Sequence, residues 1–307
     1  MSEPGRPGRM LAFLKLIRLP NVFTAAADSL AGWVIAGSAL VDPAHWWPLP
    51  LASMCVYAAG MALNDLCDLK LDRKERPDRP LPSGAIKPAH AWFLVATLFS
   101  LAWCLVSLTH SVQSLIVLGS LIASVVAYDV FLRRTLVGPV SMGTCRGLNL
   151  ALGLSVAADL GGVSAWLAAL AFGLFVTGIT YISLSEVEGG RSRSLWLGRN
   201  VQRAAFVGFV LSVGLRLLQH PPGLIPPWNW GLPPVILGLA LWKNELAGKL
   251  AWFQASPGSI QNVVRTGIFS LIWLDTALAA SAGGLWAIAV AACWIPARLA
   301  GKWLYST

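Results

Sequence analysis

Residues 48–72 read PLPLASMCVYAAGMALNDLCDLKLD, an uncharged apolar stretch that runs into three regularly spaced aspartates. The apolar part, taken as residues 47–64, approaches the roughly 20 residues that a helix needs to cross the hydrocarbon core of a membrane. Lipid offers no hydrogen-bond partner to an open backbone, so such a segment is expected to be helical. Further apolar segments are found near residues 20–40, 91–108, 112–132, 138–158, 164–185, 203–219, 232–248, 263–281 and 284–302. The sequence predicts an all-α fold, a polytopic transmembrane helical bundle of nine or ten spans.

The composition agrees with a membrane protein. Of the 307 residues, 56% are hydrophobic and only 12% are charged, whereas soluble globular domains carry roughly 25% charged residues. A large soluble domain is therefore excluded, and we expect residues 1–307 to form a single membrane-embedded domain. The five cysteines are scattered and include no C-x-x-C pair, which argues against a disulfide framework or a zinc site.

The basic residues indicate how the chain is oriented in the bilayer. All Lys and Arg residues except Arg146 and Arg216 fall at one set of span ends. Cytoplasmic loops are enriched in Lys and Arg, so we expect a multi-pass protein with its acidic motifs on the cytoplasmic side. The formal net charge of +9 is explained by this topology in the lipid bilayer. Nucleic acid is therefore not expected as a partner.

Asp65, Asp68 and Asp72 are spaced i, i+3 and i+7 after the second apolar segment. At about 100° per residue, this spacing places three carboxylates within about 60° of one another around a helix. Like charges near a membrane need a counter-charge, and Mg²⁺ typically joins one or two carboxylates to substrate phosphates. A second acidic pair, Glu186 and Glu188, follows the sixth segment. The alternative interpretation is a solvated loop whose acids and bases neutralise one another.

The first acidic cluster belongs to a longer motif. Asn64, Asp65, Asp68 and Asp72 match the pattern N-D-x-x-D-x-x-x-D, and residues 79–84 continue with R-P-L-P-S-G. In these motifs the chain resembles the UbiA superfamily of intramembrane prenyltransferases. The resemblance extends over nearly the whole chain, through the segments 18–21, 128–133 and 274–275. Within the superfamily the chain is most similar to the UbiA-like proteins named EboC, through residues 24–28 and 186–190.

This resemblance implies a central cavity, open to the cytoplasmic side and to lipid, in which two acidic motifs bind Mg²⁺ and a prenyl diphosphate donor. An acceptor nucleophile, which no motif identifies, would take the prenyl group. Asp65, Asp68 and Asp72 would be catalytic and bind one metal ion, and Glu186 and Glu188 would bind another. The expected diphosphate-binding residues are Asn21, Asn64, Arg73, Arg79, Arg133 and Arg146. The expected substrate-binding residues are Tyr128, Asn149 and Tyr181.

The chain departs from the family pattern in its second acidic motif. The usual D-x-x-x-D is replaced by Glu186-x-Glu188-x-Gly190, which lengthens the first acid and removes the last. This change leaves open two alternatives, a membrane terpene cyclase and a non-catalytic isoprenoid-binding or transport protein. In the segment 128–133, Arg133 replaces the family lysine and offers a planar fork instead of a point charge.

Arg146, Asp28 and Asp275 are charged residues inside predicted spans. An intramembrane arginine is costly, so we expect Arg146 to contact diphosphate or an acidic motif. The alternative is an arginine that snorkels to the cytoplasmic interface or pairs with one structural acid. Asp28 could pair with Arg146, bind the acceptor or stay protonated. Asp275 is open to the same choice between a structural and a functional role.

Overall fold

The computed structural model describes residues 8–37, 46–157, 159–188, 192–219, 227–283 and 286–305. Within these ranges all regular secondary structure is helical, which confirms the predicted fold class. The helices are α1 (Arg9–Leu16), α2 (Leu19–Ile35), α3 (Pro48–Cys67), α4 (Leu69–Glu75), α5 (Pro88–Ser107), α6 (Val112–Ala127), α7 (Gly138–Leu154), α8 (Gly162–Glu188), α9 (Arg193–Gln219), α10 (Trp228–Gln254), α11 (Pro257–Ala282), α12 (Trp286–Ala292) and α13 (Trp294–Tyr305). A π-helical segment, Tyr128–Leu132, continues α6.

Seven helical stretches of the described chain are long and apolar enough to cross a membrane: Pro48–Cys67, Pro88–Ser107, Val112–Leu132, Gly162–Glu186, Arg193–Gln219, Pro257–Ala282 and Trp286–Leu304. The count rises to eight if α1 and α2, which meet at a bend of 44°, form one broken span. Every predicted apolar segment overlaps a helix. However, α7 has only 17 residues, and α10 carries Lys243, Glu245 and Lys249. Length and composition therefore identify seven or eight spans, fewer than the nine or ten expected.

Helix α2 lies at the centre of the bundle and packs against α3, α7, α11 and α13. Helix α7 approaches α2 so closely that a Cβ added to Gly153 would lie 1.9 Å from the carbonyl oxygen of Ser29. Small residues permit such close contact between helices in membranes. Asn149 lies one turn before Gly153 on the same face of α7. The glycine contact therefore brings Asn149 against α2.

Several large apolar side chains point away from the bundle. Trp92 and Phe93 on α5, and Val112 and Ile116 on α6, are all more than half exposed. In water, a large apolar surface of this kind would mark an interaction site or an aggregation liability. Lipid tails are themselves apolar and solvate such side chains well. The outer faces of α5 and α6 are therefore suited to contact with the bilayer.

Candidate active site

The three aspartates of the first motif lie together at one end of the bundle. Helix α3 ends at Cys67 and α4 begins at Leu69, but the backbone N–H of Asp72 still donates to the carbonyl of Asp68 across 2.9 Å. The near-helical backbone keeps the predicted i, i+3, i+7 relationship. Asp65 and Asp72 are 4% and 3% exposed. These two carboxylates are therefore buried at the end of the bundle and need a counter-charge.

Arg79 supplies a counter-charge to both buried carboxylates. Its Nη1 lies 2.7 Å from Asp72 Oδ2 and 3.5 Å from Asp65 Oδ1. The loop that carries Arg79 folds back through a hydrogen bond of 3.0 Å from the Ile86 amide to the Pro80 carbonyl. One cationic atom thus lies between two carboxylates, and the predicted role of Arg79 in binding diphosphate stays a prediction.

Arg18 approaches the same cluster from the start of α2. Its Nη2 lies 3.5 Å from Asp65 Oδ1. The backbone of Arg18 has φ 50° and lies in the left-handed region, which is uncommon for residues other than glycine. This conformation marks the bend between α1 and α2. Arg18 was noted in the sequence as part of an opening motif, but its contact with the acidic cluster was not predicted.

Asp68 is directed away from Arg79 and toward the end of α6. Its Oδ1 accepts hydrogen bonds from Arg133 and from Arg134 Nη2, the latter at 2.8 Å. Burial alone would raise the pKa of Asp68, but the two guanidinium hydrogen bonds outweigh it and hold the pKa below its usual value. The pKa of Arg133 is raised because its bonds to Asp68 outweigh its own burial. The helical spacing suggested that the three carboxylates face one point. In the structure they do not, because Asp68 faces Arg133 and Arg134 while Asp65 and Asp72 face Arg79.

Asn64 connects the motif to the interior of the bundle. Its Nδ2 donates to Asp129 Oδ1 across 2.9 Å, and both side chains are buried. Asp129 lies in the π-helical segment after α6, and π-helical turns are frequent at functional sites. Sequence reasoning named Tyr128 but missed Asp129. The signal available was an acidic residue inside the segment 128–133.

A cavity of about 60 Å³ lies next to this contact, on the side of Asp129. Tyr128 and Asp129 form part of its wall toward the acidic cluster, and Arg146 and Asn149 form another polar part. The remaining lining residues are Ala25, Ser53, Val56, Tyr57, Gly60, Met61, Leu121, Val125, Met142 and Cys145. The structure thus brings the predicted substrate-binding residues Tyr128 and Asn149 to one mainly apolar cavity.

Arg146 is paired inside the bundle rather than with the acidic motif. Its Nη1 donates to Asp28 Oδ2 at 2.5 Å and its Nη2 to Thr24 Oγ1 at 2.7 Å. Asn149 Nδ2 donates to the same Asp28 oxygen at 2.9 Å, and Ser53 Oγ donates to Asn149 Oδ1 at 2.5 Å. Of the partners considered for Arg146, the structural acid is the one found. The predicted contact of Arg146 with diphosphate stays a prediction.

The residues of the second acidic motif lie at the end of α8. Glu186 Oε1 accepts a hydrogen bond of 2.6 Å from Gln261 Nε2. Glu186 lines a groove that Asn21 also lines. The side chain of Glu188, and Gly190 as a whole, lie outside the described residues.

Arg73 and Tyr181 are not drawn into either acidic group. Arg73 is exposed on α4, although the neighbouring Asp72 is buried. Tyr181 is half-buried on α8. Neither side chain forms an ion pair or hydrogen bond with another side chain of the described residues, so their predicted roles in binding diphosphate and substrate stay predictions.

The carboxylates of the first motif suit Mg²⁺ in their chemistry. Across the part of the chain that the structure describes, no three His, Cys, Asp or Glu side chains are grouped closely enough to hold a metal ion. However, Asp65 Oδ1 is buried and receives no hydrogen bond, and Arg79 already places positive charge between Asp65 and Asp72. Mg²⁺ prefers hard oxygen ligands of this kind. The donor set therefore suits the ion in its chemistry, and the metal-binding roles of Asp65, Asp68 and Asp72 stay predictions.

Comparison with known protein families agrees with the geometry. The UbiA prenyltransferase family matches residues 26–256 of the chain. The chain belongs to the UbiA prenyltransferase family. Together with the apolar helices, family membership makes it an integral, multi-pass membrane protein. The matched range contains the acidic motif, Arg79, the π-helical segment and Glu186.

Two relatives within this family are digeranylgeranylglyceryl phosphate synthases. That of Metallosphaera sedula is 34% identical over 145 residues, which cover 47% of this chain and 51% of the relative, so the match spans about half of that protein. That of Methanopyrus kandleri is 28% identical over 274 residues, which cover 84% of this chain and 96% of the relative.

Two solved structures share the fold. A UbiA homolog from Aeropyrum pernix K1 matches with a TM-score of 0.65 and 18% identity, over 84% of this chain and 96% of that one. A UbiA homolog from Archaeoglobus fulgidus bound to GPP and Mg²⁺ matches with a TM-score of 0.59 and 14% identity, over 92% and 99%. These matches confirm the predicted all-α, UbiA-type bundle.

Proposed function

We propose that this protein transfers a prenyl group from a prenyl diphosphate to an acceptor nucleophile within the membrane, with Mg²⁺ as cofactor. The observation that carries the proposal is the Asp65, Arg79 and Asp72 arrangement, in which one cationic atom touches two buried carboxylates. The homolog from Archaeoglobus fulgidus with GPP and Mg²⁺ supports the choice of donor and ion. The acidic end would face the cytoplasm, as the distribution of Lys and Arg indicates.

Asp65 and Asp72 would hold the metal ion. When bound, Mg²⁺ supplies positive charge that stabilises the departing diphosphate. Arg79 and Arg18 would bind the diphosphate oxygens, because guanidinium groups form paired hydrogen bonds with phosphate. Arg133 would join them if diphosphate drew it away from Asp68. Glu186 and Glu188 are proposed as ligands of a second ion.

The reaction breaks one bond and forms another. The bond between the allylic carbon and the diphosphate oxygen breaks, and its electron pair leaves with the diphosphate. The acceptor atom supplies the electron pair of the new bond to that carbon and loses a proton. Preorganised positive groups at the site stabilise the negative charge that develops on the leaving group. The mainly apolar cavity beside Tyr128 and Asp129 would keep water away from the allylic cation.

One feature favours a second candidate function, isoprenoid binding or transport. Asp28 and Asp275 are fully buried among the spans, and intramembrane acids often mark ion or substrate pathways. A terpene cyclase remains the alternative in which the same ionisation occurs without an external acceptor. These functions differ in their products, so product analysis separates them.

The test offers labelled C10, C15 and C20 prenyl diphosphates to the purified protein in lipid nanodiscs. Because two relatives are digeranylgeranylglyceryl phosphate synthases, a geranylgeranylglyceryl phosphate is the first acceptor to include, followed by aromatic and polyol acceptors. A prenyltransferase gives a labelled product only with an acceptor present. A labelled hydrocarbon or alcohol without acceptor would indicate a cyclase, and donor binding without any product would indicate a carrier.

A further inference from the structure

Asp129 lies where the acidic cluster meets the apolar cavity. It belongs to the π-helical segment after α6 and is 6% exposed. Its Oδ1 accepts the hydrogen bond of 2.9 Å from Asn64 Nδ2, and Asn64 directly precedes Asp65 in the chain. Asp129 also forms part of the cavity wall. One carboxyl group therefore contacts the acidic motif through Asn64 and borders the cavity.

The two oxygens of Asp129 differ in their surroundings. Oδ1 is occupied by Asn64, whereas Oδ2 receives no hydrogen bond from a described residue. Gly60 lies one turn before Asn64 on the same face of α3 and also lines the cavity. A Cβ added to Gly60 would lie 4.0 Å from Asp129 Oδ2, so the missing side chain leaves space beside this oxygen. Asn64 thus holds the carboxyl group by one oxygen and leaves the other open toward the cavity.

Asp129 is not neutralised by a direct partner. Asp65 and Asp72 share Arg79, whereas Asp129 contacts the amide of Asn64 and forms no ion pair with a described residue. The charged and titratable groups around Asp129 on the neighbouring elements are Arg18, Cys67, Asp68, Tyr128, Arg133 and Cys145, with Tyr57 and Arg146 across the cavity. Among the described residues that line the cavity, Asp129 has the only carboxyl group. It is therefore the one acid there that is free to accept a proton from a bound molecule.

Prenyl transfer needs a group that takes a proton, because the nucleophilic atom of the acceptor loses one when the new bond forms. We infer that Asp129 is the base that takes this proton. The inference rests on the proposed function and adds a further catalytic residue to it. A positioned side chain that accepts a proton in this way typically accelerates a reaction about 10²- to 10⁴-fold.

The atoms and electrons of this step balance. A lone pair of the acceptor atom forms the bond to the allylic carbon, and the electron pair of the broken carbon–oxygen bond leaves with the diphosphate. The proton passes from the acceptor atom to Asp129 Oδ2, and the electron pair that held it stays on the acceptor atom. Asp129 becomes neutral and releases the proton after the product has left.

The position of Asp129 suits a base for this reaction. Asn64 links the proposed diphosphate site at Asp65 and Arg79 to the cavity wall at Asp129. A donor with its diphosphate in that site and its prenyl chain in the cavity places the allylic carbon near the contact of Asn64 with Asp129. An acceptor atom that attacks this carbon then lies close to Asp129 Oδ2.

The test separates ionisation of the donor from transfer to the acceptor. The full chain in nanodiscs receives Mg²⁺ and C10, C15 or C20 prenyl diphosphate that carries ¹⁸O in the bridging position, alone and with the acceptors of the test above. Movement of ¹⁸O to the non-bridging positions reports that the allylic cation forms and recombines, and prenylated acceptor reports transfer.

Asp129→Asn keeps the size of the side chain and an oxygen that accepts from Asn64, but its amide cannot take a proton. We expect this change to lower transfer at least about 100-fold, while isotope exchange without acceptor continues at the rate of the unmodified protein. Asp159→Asn, which changes an exposed acid between α7 and α8, is the matched control.

A second variant distinguishes a missing base from a damaged fold. Asp129→Ala removes the carboxyl group and leaves space beside Gly60. Formate, a small carboxylate base, should restore transfer by Asp129→Ala in proportion to its concentration, but not transfer by Asp129→Asn, whose amide fills the space. Infrared difference spectra at neutral pH add a readout without turnover, because the unmodified protein should show a band of an ionised carboxylate that Asp129→Asn lacks.

Three outcomes would overturn the inference. Transfer by Asp129→Asn equal to transfer by Asp159→Asn would show that Asp129 takes no proton. Equal losses of isotope exchange and transfer in Asp129→Asn would show that the carboxyl group serves donor binding or cation formation instead. An infrared band of a protonated carboxylic acid that vanishes in Asp129→Asn would show that Asp129 does not act as a base.

Isotope exchange by the unmodified protein separates these outcomes from a failure of the proposed function. Where exchange occurs, each of the three results contradicts the role of Asp129 and leaves the proposed reaction standing. If the unmodified protein shows neither isotope exchange nor diphosphate release, the proposed function itself is contradicted, and the inference with it.

Discussion

Arg146 of α7 donates a hydrogen bond of 2.5 Å to Asp28 of α2 in the interior of the bundle. Arg146 is 8% exposed and Asp28 is not exposed at all. Asp275 of α11 lies beside Asp28, and neither of its carboxylate oxygens receives a hydrogen bond from a described residue. The guanidinium of Arg146 is thus the only positive charge that the described structure places against the two carboxylates of Asp28 and Asp275. Because an uncompensated buried charge is very costly, we expect one of the two carboxylates to carry a proton, and we assign that proton to Asp275, which forms no ion pair with a described residue.

This charge balance predicts different effects for the two aspartates. Asp275→Asn replaces a neutral acid by a neutral amide of the same shape, so Tm should change little. Asp28→Asn removes the one carboxylate that Arg146 contacts directly, leaves only Asp275 to balance its charge, and should destabilise the protein by up to about 3–5 kcal/mol. Thermal unfolding of the two variants in detergent compares them directly. A loss for Asp275→Asn as large as that for Asp28→Asn would show that Asp275 is ionised.

The bridging position of Arg79 predicts a role in donor binding. Arg79→Gln should lower kcat/KM for the prenyl diphosphate about 10- to 100-fold, since a hydrogen bond to a charged group contributes roughly 1.5–3 kcal/mol. Lys70→Gln removes an exposed positive charge nearby and is the control. Steady-state kinetics with varied donor provide the measurement. Equal, small losses in both variants would mean that Arg79 contributes only general positive charge.

The lowered pKa of Asp68 predicts how its ion pairs depend on pH. An acid whose pKa is lower in the folded state than in the unfolded state stabilises the folded protein. The stabilisation is complete above the pKa of the unfolded state, about 3.9, and disappears as the pH falls through the pKa of the folded state. The Tm difference between the unmodified protein and Asp68→Asn should therefore be constant from pH 7 to about pH 5 and shrink in more acidic buffer. A difference that grows toward low pH would contradict the pairing of Asp68 with Arg133 and Arg134.

The close contact of α7 with α2 predicts the effect of a single methyl group. Gly153→Ala would bring a Cβ against the Ser29 carbonyl oxygen and should destabilise the protein by about 1–3 kcal/mol. Gly238→Ala on α10 adds the same group where nothing lies within 4 Å, so it should leave Tm unchanged or slightly raised. Thermal unfolding of the two variants side by side is the test. An equal Tm for both would mean that α7 and α2 are less closely packed.

The sequence predicted the acidic cluster better than it predicted the partners of each acid. The i, i+3, i+7 spacing depends only on local helical geometry, so Asp65, Asp68 and Asp72 do lie at one end of the bundle. The pairing of Asp68 with Arg133 depends on how the π-helical end of α6 meets α3, which no local pattern contains. The pairing of Arg146 with Asp28 was among the alternatives considered, because an intramembrane arginine needs a partner.

The groove lined by Asn21 and Glu186 shows a different limit of sequence reasoning. Arg265, Arg298 and Lys302 had been interpreted only as residues that orient the chain in the membrane. They lie on α11 and α13, and only the packing of these helices around the start of α2 brings them to one groove with Asn21. Charge patterns along a chain identify the end of the bundle, but not which side chains share a surface there.

The most direct test of the proposed metal site is Mg²⁺-dependent diphosphate release by three forms of the protein in nanodiscs with donor and acceptor. We expect release to rise with Mg²⁺ in the unmodified protein and in Asp78→Asn, which removes an exposed acid from the nearby loop. We expect Asp72→Asn, if thermal unfolding shows that its fold is retained, to release diphosphate at least 100-fold more slowly at every Mg²⁺ concentration. Undiminished, Mg²⁺-dependent release by Asp72→Asn would contradict the assignment of the buried aspartates as the metal site.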